Sequence, residues 1–261
     1  MNVLITGATG ELGSKLCQMF AYDKHYLILV GRNEEKLKKL SKNLKDNFSA
    51  PNDIICVDLR NEKSAEKIYL ETQKLNVAID ILINAAGFGV YKDFLDREIT
   101  IHKELIEVNI LRLMELCHLF GQEMRNRRTG YIINFSSIAG FLPGPYLSTY
   151  YASKAFVLSF TLALSKELKP YNVSALAICP GVIDTPFYRK ALADRKHSYL
   201  LDRTILSNSF KFAKKAYKII GKKKRYYKVI GLPNKLLIFL SLLIPKKILT
   251  NFISWVQKKK N

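Results

Sequence analysis

A chain of 261 residues with 48% hydrophobic content suits one large α/β domain, able to bury a full core without disulfides or metals. Its net charge of +20 excludes an evenly balanced surface: no acidic residue follows Asp202, while residues 203–261 carry 16 Lys and Arg. Without that block the charge is +4, so the excess belongs to one tail, and such a block meets polyanions, either nucleic acid or an anionic membrane surface.

In chain order, residues 2–6 predict a short apolar strand and 10–22 a helix with Leu12, Leu16 and Phe20 on one face. A second strand over 25–30 leads to a helix from Glu34 that aligns Leu37, Leu40 and Leu44. Residues 53–57 and 79–83 read as buried strands on either side of a helix over 63–74. A long helix over 102–125 precedes a strand over 130–135; residues 150–168 have helical spacing, and 173–178 form a strand that stops at Pro180. Repeated β-α-β with continuous apolar strands predicts an α/β fold, a Rossmann-type doubly wound parallel β-sheet with helices on both faces and right-handed crossovers. Beyond it, 210–224 reads as a basic helix, 225–230 as a last short strand, and 234–260 as one or two amphipathic helices broken at Pro245. The expected division is a catalytic domain over 1–232 and a basic helical extension over 233–261.

Cys17, Cys56, Cys117 and Cys179 are scattered, with no C-x-x-C pair and no His nearby, which reads as reduced thiols of a cytoplasmic protein rather than metal ligands. The chain starts directly on a strand pattern, with no signal-peptide pattern ahead of it. The longest apolar run, residues 236–244, is too short to cross a bilayer as a helix.

The first strand-to-helix junction reads Thr6-Gly7-Ala8-Thr9-Gly10-Glu11-Leu12-Gly13. Glycines there let the backbone turn tightly and let a pyrophosphate approach the amides of a helix N-terminus, so the junction predicts dinucleotide binding. At the end of the second strand, where an acid would bond a ribose 2′-hydroxyl, stands Val30-Gly31-Arg32-Asn33, with no carboxylate until Glu34. An arginine there pairs with a 2′-phosphate, which favours NADP(H) over NAD(H).

Tyr150 and Lys154 are four apart at the start of a helix and share a face, and Ser137 ends a strand in Asn134-Phe135-Ser136-Ser137-Ile138-Ala139-Gly140. With the glycine loop and Asn84-Ala85-Ala86-Gly87, the chain resembles the short-chain dehydrogenase/reductase family, in its shorter single-domain branch, over about residues 1–190. The resemblance implies that Tyr150 is the general acid/base, that Ser137 holds the substrate oxygen, and that Lys154 binds the nicotinamide ribose and lowers the Tyr150 pKa. It also implies that Asn109, in Val108-Asn109-Ile110, supports a water relay. Asp58 is expected near the adenine, Asn84 and Ala85 beside the adenosine ribose, and Pro180, Gly181, Val182, Ile183 and Thr185 along the nicotinamide amide, with Leu59, Ala86 and Gly87 also at the cofactor. Tyr151 is a rival phenol, but only Tyr150 has a lysine at i+4. One departure is visible: the branch spaces its glycines T-G-x-x-x-G-x-G, whereas this chain has T-G-x-x-G-x-x-G, with Glu11 at the usual middle-glycine position.

The reaction expected is hydride transfer between the nicotinamide and a small-molecule carbonyl or alcohol, by a homo-oligomer. Alternatives are an epimerase or dehydratase that retains its nicotinamide, and a non-enzymatic NADP(H)-binding protein at a membrane surface. In the tail, Leu236, Leu237, Phe239, Leu240, Leu243 and Ile244 lie between Lys235 and Lys246-Lys247, with Trp255 ahead of Lys258-Lys259-Lys260. That composition suits an interfacial helix at the inner face of a membrane and an apolar substrate, with packing over the cleft or a subunit interface as the other reading. No recognised nucleic-acid module accompanies the charge, so nucleic acid is not the expected partner.

Overall fold

The computed structural model describes residues 1–183, 208–221 and 226–257. Its sheet comprises β1 (Asn2–Thr6), β2 (Tyr26–Gly31), β3 (Asn52–Cys56), β4 (Ile81–Asn84), β5 (Gly130–Phe135), β6 (Val173–Cys179) and β7 (Tyr227–Val229). These seven lie in the order β3-β2-β1-β4-β5-β6-β7, and every neighbouring pair is parallel. Between them run α1 (Glu11–Tyr22), α2 (Glu34–Phe48), α3 (Ser64–Lys74), α4 (Ile99–Ile106), α5 (Arg112–Arg127), α6 (Ser148–Leu168) and α7 (Ser209–Tyr217). After β7 come α8 (Leu232–Leu243) and α9 (Lys246–Gln257).

The doubly wound arrangement follows from the alternation of side chains along fully apolar strands. In β1, Val3 and Ile5 point into a core shared with Leu16, Phe20, Leu37 and Phe212 of α1, α2 and α7. Leu4, one residue out of phase, points into the opposite core with Ile68, Leu116 and Val157 of α3, α5 and α6. The same alternation holds in β2, where Leu27 and Leu29 serve the first core and Ile28 and Val30 the second.

Two departures from the sequence expectation have local causes. The single long helix expected over 102–125 is two helices, α4 and α5, joined by a widened π-helical turn over Glu107–Leu111. Such turns accommodate one extra residue and recur at functional positions, and this one holds Asn109. Immediately after it, Arg112 is buried and pairs with Glu107 and, at 2.6 Å, with Glu115. The basic helix expected over 210–224 ends at Tyr217, whose hydroxyl bonds the Asp23 carboxylate; residues 222–225 lie outside the described residues.

Close approach of α1 to the first turn requires two of its glycines. Gly7 has φ +67°, and a Cβ on it would sit 2.9 Å from the Ala86 Cα. A Cβ on Gly13 would fall 2.2 Å from the Gly7 carbonyl oxygen, so the helix packs on the loop backbone itself. Gly13→Ala should therefore cost about 1–3 kcal/mol, the scale of overpacking, since backbone rather than a flexible side chain must yield. Urea denaturation of the variant checks this; an unchanged midpoint would mean that α1 shifts freely.

Candidate active site

The carboxyl ends of β1, β2, β4, β5 and β6 open on one edge, where two adjoining cavities of about 650 and 260 Å³ share Gly7, Gly10, Ala85, Gly87 and Gly89. Ligand clefts in parallel sheets form at this edge because the strand order reverses beside β1 and the loops diverge. The larger cavity is walled by Thr9, Arg32, Asp58, Leu59 and Ala86 among others. Glu11, Leu12, Gly13, Ser137, Tyr150 and Lys154 line the smaller one, together with Pro180, Gly181, Val182 and Ile183. Thr185 lies outside the described residues.

Lys154 is buried and donates from Nζ to the Phe135 carbonyl at 2.9 Å, reaching back from α6 to the end of β5. Its ammonium lies 5.7 Å from the centre of the Tyr150 ring. Burial lowers the lysine pKa to about 8, since an interior of low polarity disfavours the charge. The same desolvation pushes the Tyr150 phenol up to about 12, opposed by a hydrogen bond with the Ser137 hydroxyl. At neutral pH the phenol is therefore protonated and the lysine charged. Ser137 is held at the end of β5, its Oγ accepting from the Ala139 amide at 3.1 Å, so the hydroxyl is fixed against the phenol.

Asn109 stands behind this pair rather than in the cavity wall. Its side chain accepts from the Phe88 amide and donates to the Phe88 carbonyl, both at 3.0 Å, and donates to Ser153 Oγ at 3.1 Å. The π-helical turn thus ties the loop after β4 to α6. Gly87 is squeezed between: a Cβ there would lie 3.0 Å from Asn109 Oδ1 and 3.4 Å from Lys154 Nζ.

At the glycine loop, α1 begins on Gly10 with no side-chain cap, leaving first-turn amides open to the cleft. An uncapped helix N-terminus under a glycine turn fits a pyrophosphate. Glu11, the residue that departs from the family spacing, is turned to Ser209 at the start of α7, its carboxylate accepting from Ser209 Oγ at 2.7 Å. Arg32 lines the larger cavity beside Asp58, whose carboxyl is held below its usual range first by a hydrogen bond from Arg60.

A family model described as short chain dehydrogenase matches residues 1–196. The chain belongs to that family. An uncharacterized oxidoreductase of Staphylococcus saprophyticus is 31% identical over 183 residues, covering 70% of this chain and 78% of its own. A 3-oxoacyl-[acyl-carrier-protein] reductase of Aquifex aeolicus is 29% identical over 196 residues, covering 75% and 79%. Among solved structures, a short-chain dehydrogenase from Sphingobium yanoikuyae in complex with NADPH superposes with a TM-score of 0.81 at 24% identity, covering 93% of both chains. A 3-oxoacyl-[acyl-carrier protein] reductase of Brucella melitensis with bound NAD reaches 0.75 at 22% identity, covering 87% of this chain and 88% of that one. At such identities the likeness is one of fold. As a short-chain dehydrogenase, the protein is an oxidoreductase acting between alcohol and carbonyl groups.

Three residues expected at the cofactor also make structural hydrogen bonds within the protein. Thr6 is buried and accepts from the Ala86 amide at 3.2 Å, shaping the loop from within. Asn84 bonds Asn134 Oδ1 at 2.9 Å across adjacent strands, and Asn33 caps α2 through the Lys36 amide at 2.8 Å. Sequence reasoning missed Arg60, which lines the larger cavity and pairs with Asp58 at 2.7 Å and Glu104 at 3.3 Å. Its position two residues after Asp58 was the available signal. It also missed Phe88, which lines the larger cavity and bonds Asn109 through its backbone, and Gln257, which donates to the Tyr151 hydroxyl at 2.7 Å across 106 residues of sequence.

The buried Lys154 has a signature in stability. With a folded pKa near 8, below the ordinary lysine value, the unfolded chain binds the extra proton between about pH 8 and 10. Stability from this group therefore rises with pH across that window. The urea midpoint of the parent should gain on that of Lys154→Met as pH goes from 8 to 10; parallel curves would place the ammonium in a water-like setting.

Proposed function

We propose that the protein is an NADP(H)-dependent oxidoreductase that reduces an apolar carbonyl, or oxidises the matching alcohol, with Tyr150 as general acid/base. The observation that carries this reading is the meeting of the Ser137 hydroxyl, the Tyr150 phenol and the Lys154 ammonium in one small cavity. When bound, the nicotinamide supplies or accepts the hydride. The amides of Gly10 to Gly13 would hold the pyrophosphate, Asp58 and Leu59 the adenine, and Lys154 the nicotinamide ribose.

In the reducing direction Ser137 fixes the substrate oxygen and Tyr150 gives it a proton, a role suited to a phenol that burial keeps protonated. Lys154, charged at neutral pH, offsets the negative charge left on the phenolic oxygen. Asn109 positions Lys154 and Tyr150 through Ser153, whose hydroxyl donates to the Tyr150 carbonyl at 2.7 Å. The remaining wall of the cavity includes Ile138, Ala139, Leu142 and Leu147, which favours an apolar substrate body. For cofactor choice, the first acid after β2, Glu34, is paired with Lys38 at 2.7 Å on the surface of α2. Arg32 forms no salt bridge among the described residues, and its guanidinium suits a 2′-phosphate.

Tyr150→Phe should lower turnover by at least ~100-fold, the scale of lost general acid catalysis, while cofactor still binds. Near-normal NADPH oxidation by that variant with a ketone panel would remove the phenol from the chemistry. Arg32→Ala should weaken NADPH binding by roughly 1.5–3 kcal/mol and leave NADH nearly unchanged. Equal losses for both in a fluorescence titration would show that Arg32 does not read the 2′-phosphate.

A further inference from the structure

The two helices after β7 use only thin stripes to pack. In α8 the buried positions are Ile238 and Ser241, one helical turn apart; in α9 they are Leu249, Ile253 and Gln257. The other leucines, isoleucines and aromatics of the pair are exposed, including Leu236, Phe239, Leu243, Ile248, Phe252 and Trp255. Of the 25 exposed large apolar side chains among the described residues, 11 fall within residues 232–255. A soluble surface scatters such residues singly, so this concentration marks a covered face. Lys235, Lys246 and Lys247 are exposed on the same pair, Lys258, Lys259 and Lys260 follow in sequence, and residues 226–261 contain no Asp or Glu.

We propose that the outward face of α8 and α9 is a docking surface for an anionic lipid bilayer. Apolar side chains of this kind enter the acyl boundary while lysines at their edge meet anionic headgroups, each adding about 1 kcal/mol. The charge argues against the other occupants. A second copy on the same face would bring lysines against lysines with no local acid to pair them, a like-charge arrangement that opposes association. Nucleic acid has use for the lysines but none for a face of leucines and phenylalanines.

Both ends of the helical pair are fastened to the walls of the catalytic cavity. Asn234, in the first turn of α8, lies against Gly181, where a Cβ would be 2.3 Å from its side chain. At the far end Gln257 bonds the hydroxyl of Tyr151, a cavity residue, and its carbonyl accepts from Tyr91. A bilayer on this face therefore lies beside the cavity, and an apolar substrate reaches it from the lipid. Docking itself does not depend on the reaction proposed above; only this delivery does.

Trp255 is the single tryptophan of the chain and is 69% exposed, so its emission reports the face directly. Full-length protein at low salt should show a blue shift with vesicles of phosphatidylcholine and phosphatidylglycerol, and brominated acyl chains should quench it. Pure phosphatidylcholine vesicles should do far less. The double variant Lys246→Ala/Lys247→Ala should partition on the order of 30-fold more weakly, and Phe252→Ser, at an exposed site, should also weaken binding. An emission unmoved by anionic vesicles at low salt overturns the proposal. So does an emission already blue-shifted in buffer together with a dimer by sedimentation, which would place a second copy on the face. Tyr150→Phe should bind vesicles as the parent does, so loss of turnover and loss of docking are read separately.

Discussion

Lys154 carries a charged group into the protein interior, and the groups around it are also walls of the smaller cavity. Its Nζ is satisfied by the Phe135 carbonyl at the end of β5, and Ser136 reaches the other way to the Lys154 carbonyl at 2.8 Å. This double contact holds α6 against β5, and with them the Ser137 hydroxyl against the Tyr150 phenol. Gly140 fits the same join: a Cβ there would lie 2.7 Å from the Lys154 carbonyl oxygen. An ammonium left without these partners would be expelled or neutralised, because desolvation of an unpaired charge costs more than a helix of this size can offset.

A second layer of polar contacts aligns the strands that deliver these residues. Asn84, Asn134 and Thr161 form a buried chain from β4 through β5 to α6, with bonds of 2.9 and 3.0 Å. Such a chain has one satisfied register, so it fixes how far each strand projects into the cleft. Asn109 does the same for the loop after β4, from its place in the π-helical turn. The departure of the glycine loop has a comparable resolution: Glu11 puts its carboxylate on Ser209, which ties α7 to the loop.

The carboxy-terminal pair obeys a different economy. Its helices touch the body through Ile238, Ser241, Leu249, Ile253 and Gln257 and leave most of their apolar surface outside. Among the described residues no helix is long and apolar enough to cross a membrane. Gln257 and Asn234 of the same pair reach the cavity walls, at Tyr151 and Gly181.

Much of the fold was legible in the sequence because its signals are local. Apolar strands of β1, β2 and β4 and the spacing of Leu37 and Leu44 depend only on neighbours along the chain, as does the break at Pro245. The glycine loop and the Tyr150–Lys154 spacing were readable for the same reason, since each lies within one turn of backbone. Tertiary structure alone decided the rest. It gave Thr6 and Asn84 their hydrogen-bond partners on the loop after β4 and on β5, because the direction of a side chain at a strand end depends on what its neighbours offer. It split the helix at Asn109 for a partner 21 residues away, and brought Gln257 onto Tyr151 across 106 residues. The face that α8 buries was likewise beyond the sequence: its apolar residues run nearly all round, so periodicity could not choose a side, and packing of Ile238 with Leu158 and Val229 did.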